Sequence, residues 1–203
     1  TRYATLQDPR DRPLYNRAIQ GQYPPGSTIK PIVALAGLYH GVREPSEETY
    51  CPGYYQLPGE PHRYRDWLKG GHGPMNLVDA IARSCDVYFY DLARDLGIDR
   101  LSGFLSEFGF GRPTGIDIPN EAAGLMPTPA WKQRRRGLPW FPGETLITGI
   151  GQGFTLATPL QLAEATLILA NRGVAVVPRV VGQIENPNTQ VASDRPIAER
   201  RVV

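Results

Sequence analysis

The sequence predicts a mixed α/β fold, α+β in arrangement, and three observations carry that reading. Apolar residues recur at helical spacing over 27–40, 76–96 and 99–108. Alternating apolar and small residues mark strand candidates at 145–153 and 174–184. The third observation is bulk: 203 residues, 41% of them hydrophobic, are enough for one sizeable core. The 22 basic and 20 acidic side chains leave a net charge of +2, too little for a nucleic-acid surface. No stretch is long and apolar enough for a membrane span, and the first residues lack the apolar heart of a secretory signal.

The elements follow in order. Ile29, Ile32, Val33, Leu35, Ala36 and Leu38 give the first helix its face, and Gly41 ends it. Residues 45–74 are rich in proline and glycine with aromatics interleaved, which predicts a long ordered excursion with little regular structure. Asn76 is a cap for a second helix running through about Leu96, and Asp99–Phe108 gives a short third one closed by Gly109. Proline-rich turns fill 127–142, and Arg134, Arg135 and Arg136 read as a solvated helix face. The stretch "TLITGIGQG" reads as a strand, Thr158-Pro159 opens another helix by cap and first-turn proline, and "VAVVPRVVGQI" is a final strand. Residues 185–203 are polar and read as loop or frayed end.

Chemistry enters at "YPPGSTIKP", where Ser27 and Lys30 stand three apart at a helix start. That spacing puts both on one face, and a nucleophilic serine needs a nearby base. Lysine also matters by type, because a buried lysine can lose its proton as arginine cannot. Only three of the 22 basic residues are lysines. A Ser-x-x-Lys arises by chance in roughly one chain in eleven of this composition, so it needs company. "ARSCDVYFYDLA" supplies it, with Ser84 and Asp86 flanking Cys85. On its own that trio reads as an ordinary polar turn of a helix.

Ser27-x-x-Lys30 and Ser84-x-Asp86 match the first two motifs of the penicillin-binding proteins and serine β-lactamases, with Asp for Asn in the second. Together with "YRDW" at 64–67, "GHG" at 71–73, "GIGQG" at 149–153 and "TPLQLA" at 158–163, they resemble the elongation-type class B penicillin-binding proteins of Gram-negative bacteria. The resemblance runs to about residue 184. It implies a penicillin-recognising fold, an antiparallel sheet flanked by helices and incomplete in this chain. The third motif, Lys-Thr-Gly or Lys-Ser-Gly, occurs nowhere. Residues 1–203 are therefore expected to be a transpeptidase domain cut before that motif, with pedestal and membrane anchor lying upstream.

The resemblance also implies a mechanism. Ser27 would attack a stem-peptide D-Ala carbonyl, Lys30 would act as its base, Ser84 would relay a proton and Asp86 would orient the network. One oxyanion donor would be the Ser27 amide, and the other lies on the strand carrying the absent motif, so these residues alone are expected to be a poor catalyst. Implied partners are peptidoglycan stem peptides, β-lactams and the polymerase and scaffold proteins of the rod-shape complex, at the periplasmic face of the inner membrane. Two alternatives stand beside this: a serine β-lactamase, and a penicillin-binding sensor or catalytically silent module.

Cys51, Asp66, His72 and Cys85 are all residue types that zinc accepts, yet their spacing fits no common zinc-finger pattern. From spacing alone a Cys51–Cys85 disulfide, or a small buried thiol beside a loop histidine, reads better than a metal site. The resemblance implies a structural zinc on Asp66, His72 and Cys85, with Cys51 as the fourth ligand. Such a closed site would organise the 45–74 excursion and leave no open position for chemistry. His40 and His62 read as surface residues.

Overall fold

The computed structural model describes residues 6, 13–185, 192–194 and 198–202. The chain divides into two compact units, Thr1–Tyr23 with Phe108–Gly124 and Ala157–Val203, and Pro24–Glu107 with Leu125–Leu156. In chain order the elements are α1 (Arg17–Gln20), a 3-10 turn (Gly26–Ile29), α2 (Lys30–Tyr39), β1 (Thr49–Cys51), β2 (Tyr54–Gln56), β3 (Arg63–Arg65) and β4 (Gly73–Met75). There follow α3 (Leu77–Ala82), α4 (Asp86–Glu107), α5 (Pro129–Arg136), α6 (Pro142–Gly149), α7 (Pro159–Ala170), β5 (Val174–Val176), β6 (Gln183–Glu185), β7 (Ala192–Asp194) and β8 (Glu199–Arg201).

The second unit is built around α4. Val87, Tyr88, Phe89, Tyr90, Leu92, Ala93 and Leu96 are all buried, so this half of the helix is covered over most of its girth, with Asp91, Arg94 and Asp95 left on one polar edge. Glycines let its neighbours come close: a side chain on Gly37 of α2 would press into Leu92, and one on Gly149 of α6 into Ala93. At Gly97 (φ 72°, ψ 160°) the helical backbone is interrupted, which separates the third predicted helix from the second.

Three expectations change in this unit. The helix predicted from Asn76 to Leu96 is two helices: Asn76 caps α3, accepting from the Asp79 N–H at 2.9 Å, but the chain turns at 83–85 before α4 begins. "TLITGIGQG" is not a strand, since Thr145–Gly149 lie in α6 and only the glycine-rich tail leaves it. Its start is fixed by Pro142 in the first turn and by Glu144, whose carboxylate accepts from the Phe141 N–H at 2.8 Å. The 45–74 excursion is more regular than predicted, because it folds into two antiparallel ribbons. β1 pairs with β4, Cys51 facing Gly73, and β2 pairs with β3, Tyr55 facing Tyr64. The arginine run is the exposed end of α5, as expected.

The first unit holds α7, opened as predicted by Thr158 and Pro159. The Thr158 hydroxyl accepts from the Gln161 N–H at 3.1 Å, and Gln161 accepts in return from the Thr158 N–H at 2.8 Å. Gln161 is fully buried, and its amide also donates to the Arg112 and Ala123 carbonyls at 2.6 and 2.8 Å. The final strand prediction is met in two pieces, β5 and β6. Residues 185–203, predicted as loop, contain β7 and β8, which pair antiparallel with β6 and β5. Residues 186–191, 195–197 and 203 lie outside the described residues. Among the described residues no helix is long and apolar enough to cross a membrane.

Candidate active site

Ser27 sits in the 3-10 turn that leads into α2, its side chain exposed. In a 3-10 turn residues i and i+3 eclipse, which brings Ser27 and Lys30 onto one side. Gly26 adopts φ +58°, and its N–H donates to the Gly151 carbonyl at 2.8 Å. Gly151 itself has φ +72°, and a side chain there would collide with the Gly26 backbone. The tail of "GIGQG" is thus a backbone brace under the serine's turn. Thr28 closes the same turn through a 2.6 Å bond from its hydroxyl to the Pro25 carbonyl.

Lys30 is buried, its side chain 2% exposed, and its Nζ has three acceptors. It donates to the Ser84 carbonyl at 2.9 Å, to Ser84 Oγ at 3.1 Å and to Asp86 Oδ1 at 2.7 Å. Three acceptors match the three donors of an ammonium, so the buried cation is fully satisfied. Lys30 of the first motif thus meets Ser84 and Asp86 of the second at one nitrogen, whereas the Ser27 hydroxyl makes no hydrogen bond to that nitrogen among the described residues.

The local backbone explains why Ser84 points at Lys30. The Cys85 N–H bonds the Ala80 carbonyl at 3.0 Å and the Ser84 N–H bonds the Ile81 carbonyl at 3.2 Å, a Schellman termination of α3. Ser84 takes the left-handed position, φ 52°, that glycine usually fills. A serine held there at a cost of about 1–2 kcal/mol marks a position where the hydroxyl is needed.

Cys85 points the other way, into a buried cluster with Cys51, Asp66 and His72 whose donor atoms lie within 4.8 Å of one another. Both thiols are free. Asp66 Oδ2 is 3.5 Å from each sulfur, and the Cys51 sulfur is 3.6 Å from His72 Nδ1. Tetrahedral zinc with ordinary bond lengths sets S···O edges of about 3.5 Å and S···N edges of about 3.6 Å. The residues present fit that ion. Burial opposes the charge on Asp66, but N–H groups of Leu68 and Val87, with Cys85 and His72, hold its carboxyl below its ordinary range. Burial pushes the Cys85 thiol well above its ordinary value. Of the remaining histidines, His62 is exposed and His40 half-buried among Tyr39 and Phe104.

Sequence reasoning missed two supports. The Trp67 indole donates to the Arg83 carbonyl at 3.2 Å, tying the excursion to the turn that carries Ser84. Arg43, 6% exposed, binds Glu47, Asp91 and Asp95 at 2.8, 3.0 and 2.6 Å. Thr49 donates to the same Asp91 oxygen at 3.2 Å, so the network fastens β1 to α4. The signal was present, an acid four residues after Arg43 and two acids one helical turn apart in α4.

The family model "Penicillin binding protein transpeptidase domain" matches residues 2–202. The peptidoglycan D,D-transpeptidase MrdA of Acinetobacter baumannii is 53% identical over 179 residues, 88% of this chain and 27% of that protein. The crystal structure of Pseudomonas aeruginosa PBP2 in complex with WCK 5153 superposes with a TM-score of 0.89 at 51% identity, covering 100% of this chain and 45% of that one. The complex between PBP2 and MreC from Helicobacter pylori matches at 0.84 and 39%, covering 97% and 35%. The chain thus spans less than half the length of these relatives, and the penicillin-recognising fold predicted from the motifs is the fold it shares with them. By this match over nearly its whole length, the chain belongs to the penicillin-binding protein transpeptidase domain family.

Proposed function

We propose that this chain is the nucleophile-bearing part of a peptidoglycan D,D-transpeptidase of the elongation type, a β-lactam target. The observation that carries the reading is the single nitrogen of Lys30 in contact with Ser84 Oγ and Asp86, one 3-10 turn from Ser27.

Lys30 first gives up one ammonium proton to solvent, and Ser27 Oγ then attacks the carbonyl of the penultimate D-Ala of a stem peptide while its own proton passes to the neutral amine. The Ser84 hydroxyl can accept from or donate to Nζ, so that contact survives the change of proton state. Collapse of the tetrahedral intermediate breaks the C–N bond, and Ser84 passes the proton to the departing D-Ala amine. An amine of a second stem peptide then attacks the acyl-enzyme and returns Ser27 to its free form. Asp86 holds the ammonium when it forms.

Cys51, Asp66, His72 and Cys85 would hold a structural zinc. Such an ion would take no part in the reaction and would fix Cys85 between the two polar motif residues. Partners of the MreC kind, periplasmic exposure and an anchor elsewhere in the parent protein belong to the same proposal. These 203 residues contain no Lys-Thr-Gly and taken alone should acylate poorly.

The test is intact mass of the full-length protein with penicillin over time, then peptide mapping. A lasting adduct on Ser27, absent from Ser27→Ala, is the expected result. Rapid penicillin loss without an adduct would mean a β-lactamase, and a stable adduct with no stem-peptide cross-linking would mean a silent sensor.

A further inference from the structure

A concave site lies on the ribbon side of the second unit, lined by Gly53, Tyr54, Arg63, Arg65, Asp66 and Lys69, with a volume of about 160 Å³. Arg63 and Arg65 are two apart on β3 and so share a face, while Tyr64 between them packs on Tyr90 at 5.8 Å between ring centres. The Arg63 guanidinium lies 4.4 Å from the Tyr54 ring centre, which holds it over the site. Lys69 enters from the next turn, its backbone packed so tightly on Gly53 (φ +92°) that no side chain fits there.

Positive charge gathers at this place. Buried Lys30, Arg43 and Lys132 and half-exposed Arg94 each have a carboxylate partner. Among the described residues, Arg63, Arg65 and Lys69 have none. Three unpaired cations around one concavity concentrate positive potential. The carboxylate of Asp66 does not oppose them from an open face, being buried and engaged by the Leu68 and Val87 N–H groups at 3.0 and 3.2 Å. Guanidinium pairs select planar oxyanions by bidentate bonding.

We propose that this site binds a carboxylate of a peptidoglycan stem peptide. The inference rests on the transpeptidase reading and names a binding point for its substrate. Two facts favour a peptide carboxylate over a lipid phosphate. The site is a pocket and not a flat basic face. It also adjoins the turn that carries the second motif: Asp66 accepts from the Val87 N–H, and Trp67, next in sequence, donates to the carbonyl of Arg83 beside Ser84.

The experiment uses full-length, metal-replete protein carrying Ser27→Ala to prevent turnover, with and without Arg63→Gln/Arg65→Gln. Calorimetry compares a disaccharide-peptide monomer having free carboxylates with the same monomer fully amidated. The expected result is at least tenfold tighter binding of the free acid, a preference lost in the double variant, since a charged contact is worth roughly tenfold or more. Equal affinity for the two monomers, or a preference that survives the double variant, would overturn the proposal. So would binding to phosphatidylglycerol vesicles that depends on the two arginines while the monomer preference does not. Far-UV circular dichroism and melting temperature of the Arg63→Gln/Arg65→Gln protein should match those of the wild type, which shows that the fold is intact. Absence of acylation in the wild type would instead refute the transpeptidase reading and leave the calorimetric comparison to judge the pocket.

Discussion

Lys30 Nζ lies 2.7 Å from Asp86 Oδ1, the lysine side chain 2% exposed and the aspartate 15%. Removing one partner of so buried a pair leaves an uncompensated charge, which costs about 3–5 kcal/mol. Asp86→Ala should therefore lower stability by that order and slow penicillin acylation by more than tenfold. Asp86→Asn keeps an acceptor for Nζ and should lose far less of both. Denaturant unfolding and stopped-flow acylation of the full-length protein check the pair, and equal behaviour of the two variants would contradict the role given to Asp86.

Ser84 offers a prediction in which stability and activity part company. Its φ of 52° suits glycine, so Ser84→Gly should be more stable than Ser84→Ala by about 1 kcal/mol. Neither variant has the hydroxyl that meets Lys30, so both should acylate slowly. Melting temperatures with acylation rates on the same samples test it.

The cluster of Cys51, Asp66, His72 and Cys85 should carry close to one equivalent of zinc in freshly purified full-length protein, measured by elemental analysis. Stripping the ion should lower the melting temperature, and adding zinc back should restore it. Cys51→Ser should weaken retention of the ion by about ten- to a hundredfold or more. A metal-free protein with two titratable thiols and an unchanged melting curve would remove the ion from the account.

Glu164 gives a pH signature in the other unit. Its Oε2 is buried without a hydrogen-bond partner, and burial, with Glu121 adding, raises its pKa against the pull of Arg112 and Arg200. A carboxyl raised on folding stabilises the fold below its ordinary value of 4.5 and loses that contribution as pH rises through the folded value. Glu164→Gln does not titrate, so its melting temperature should gain on the wild type between pH 4.5 and 7.5. A difference that stays constant across that range would refute the assignment.

How far the sequence could be read depended on whether a signal was local. Ser27, Lys30 and the first helix were legible because apolar spacing and proline position speak for themselves. The turn at Ser84 was not, since a serine occupies the place where glycine would have announced the end of α3. "TLITGIGQG" misled through its small residues: Gly149 is small because α6 presses on Ala93, and that reason lies on another helix. The ribbons were hidden because strands of three residues show no usable alternation, and β1 pairs with a strand 22 residues on. No motif announced Lys132, which is buried against Glu144 and over Phe141. The metal ligands were recognisable as types, but only folding shows that their donor atoms meet.

The separations along the chain carry a consequence for the order of assembly. Asp66 stands 15 residues from Cys51 and 19 from Cys85, whereas Lys30 reaches Ser84 across 54, and the brace from Gly151 to Gly26 spans still more. Loop-closure entropy grows with such distance, so the sulfur-bearing lobe can close early while the seat of Ser27 waits for a distant stretch of chain. A polypeptide caught midway through synthesis would then hold a finished lobe and an unsupported serine, and acquisition of penicillin reactivity would report the last step of folding.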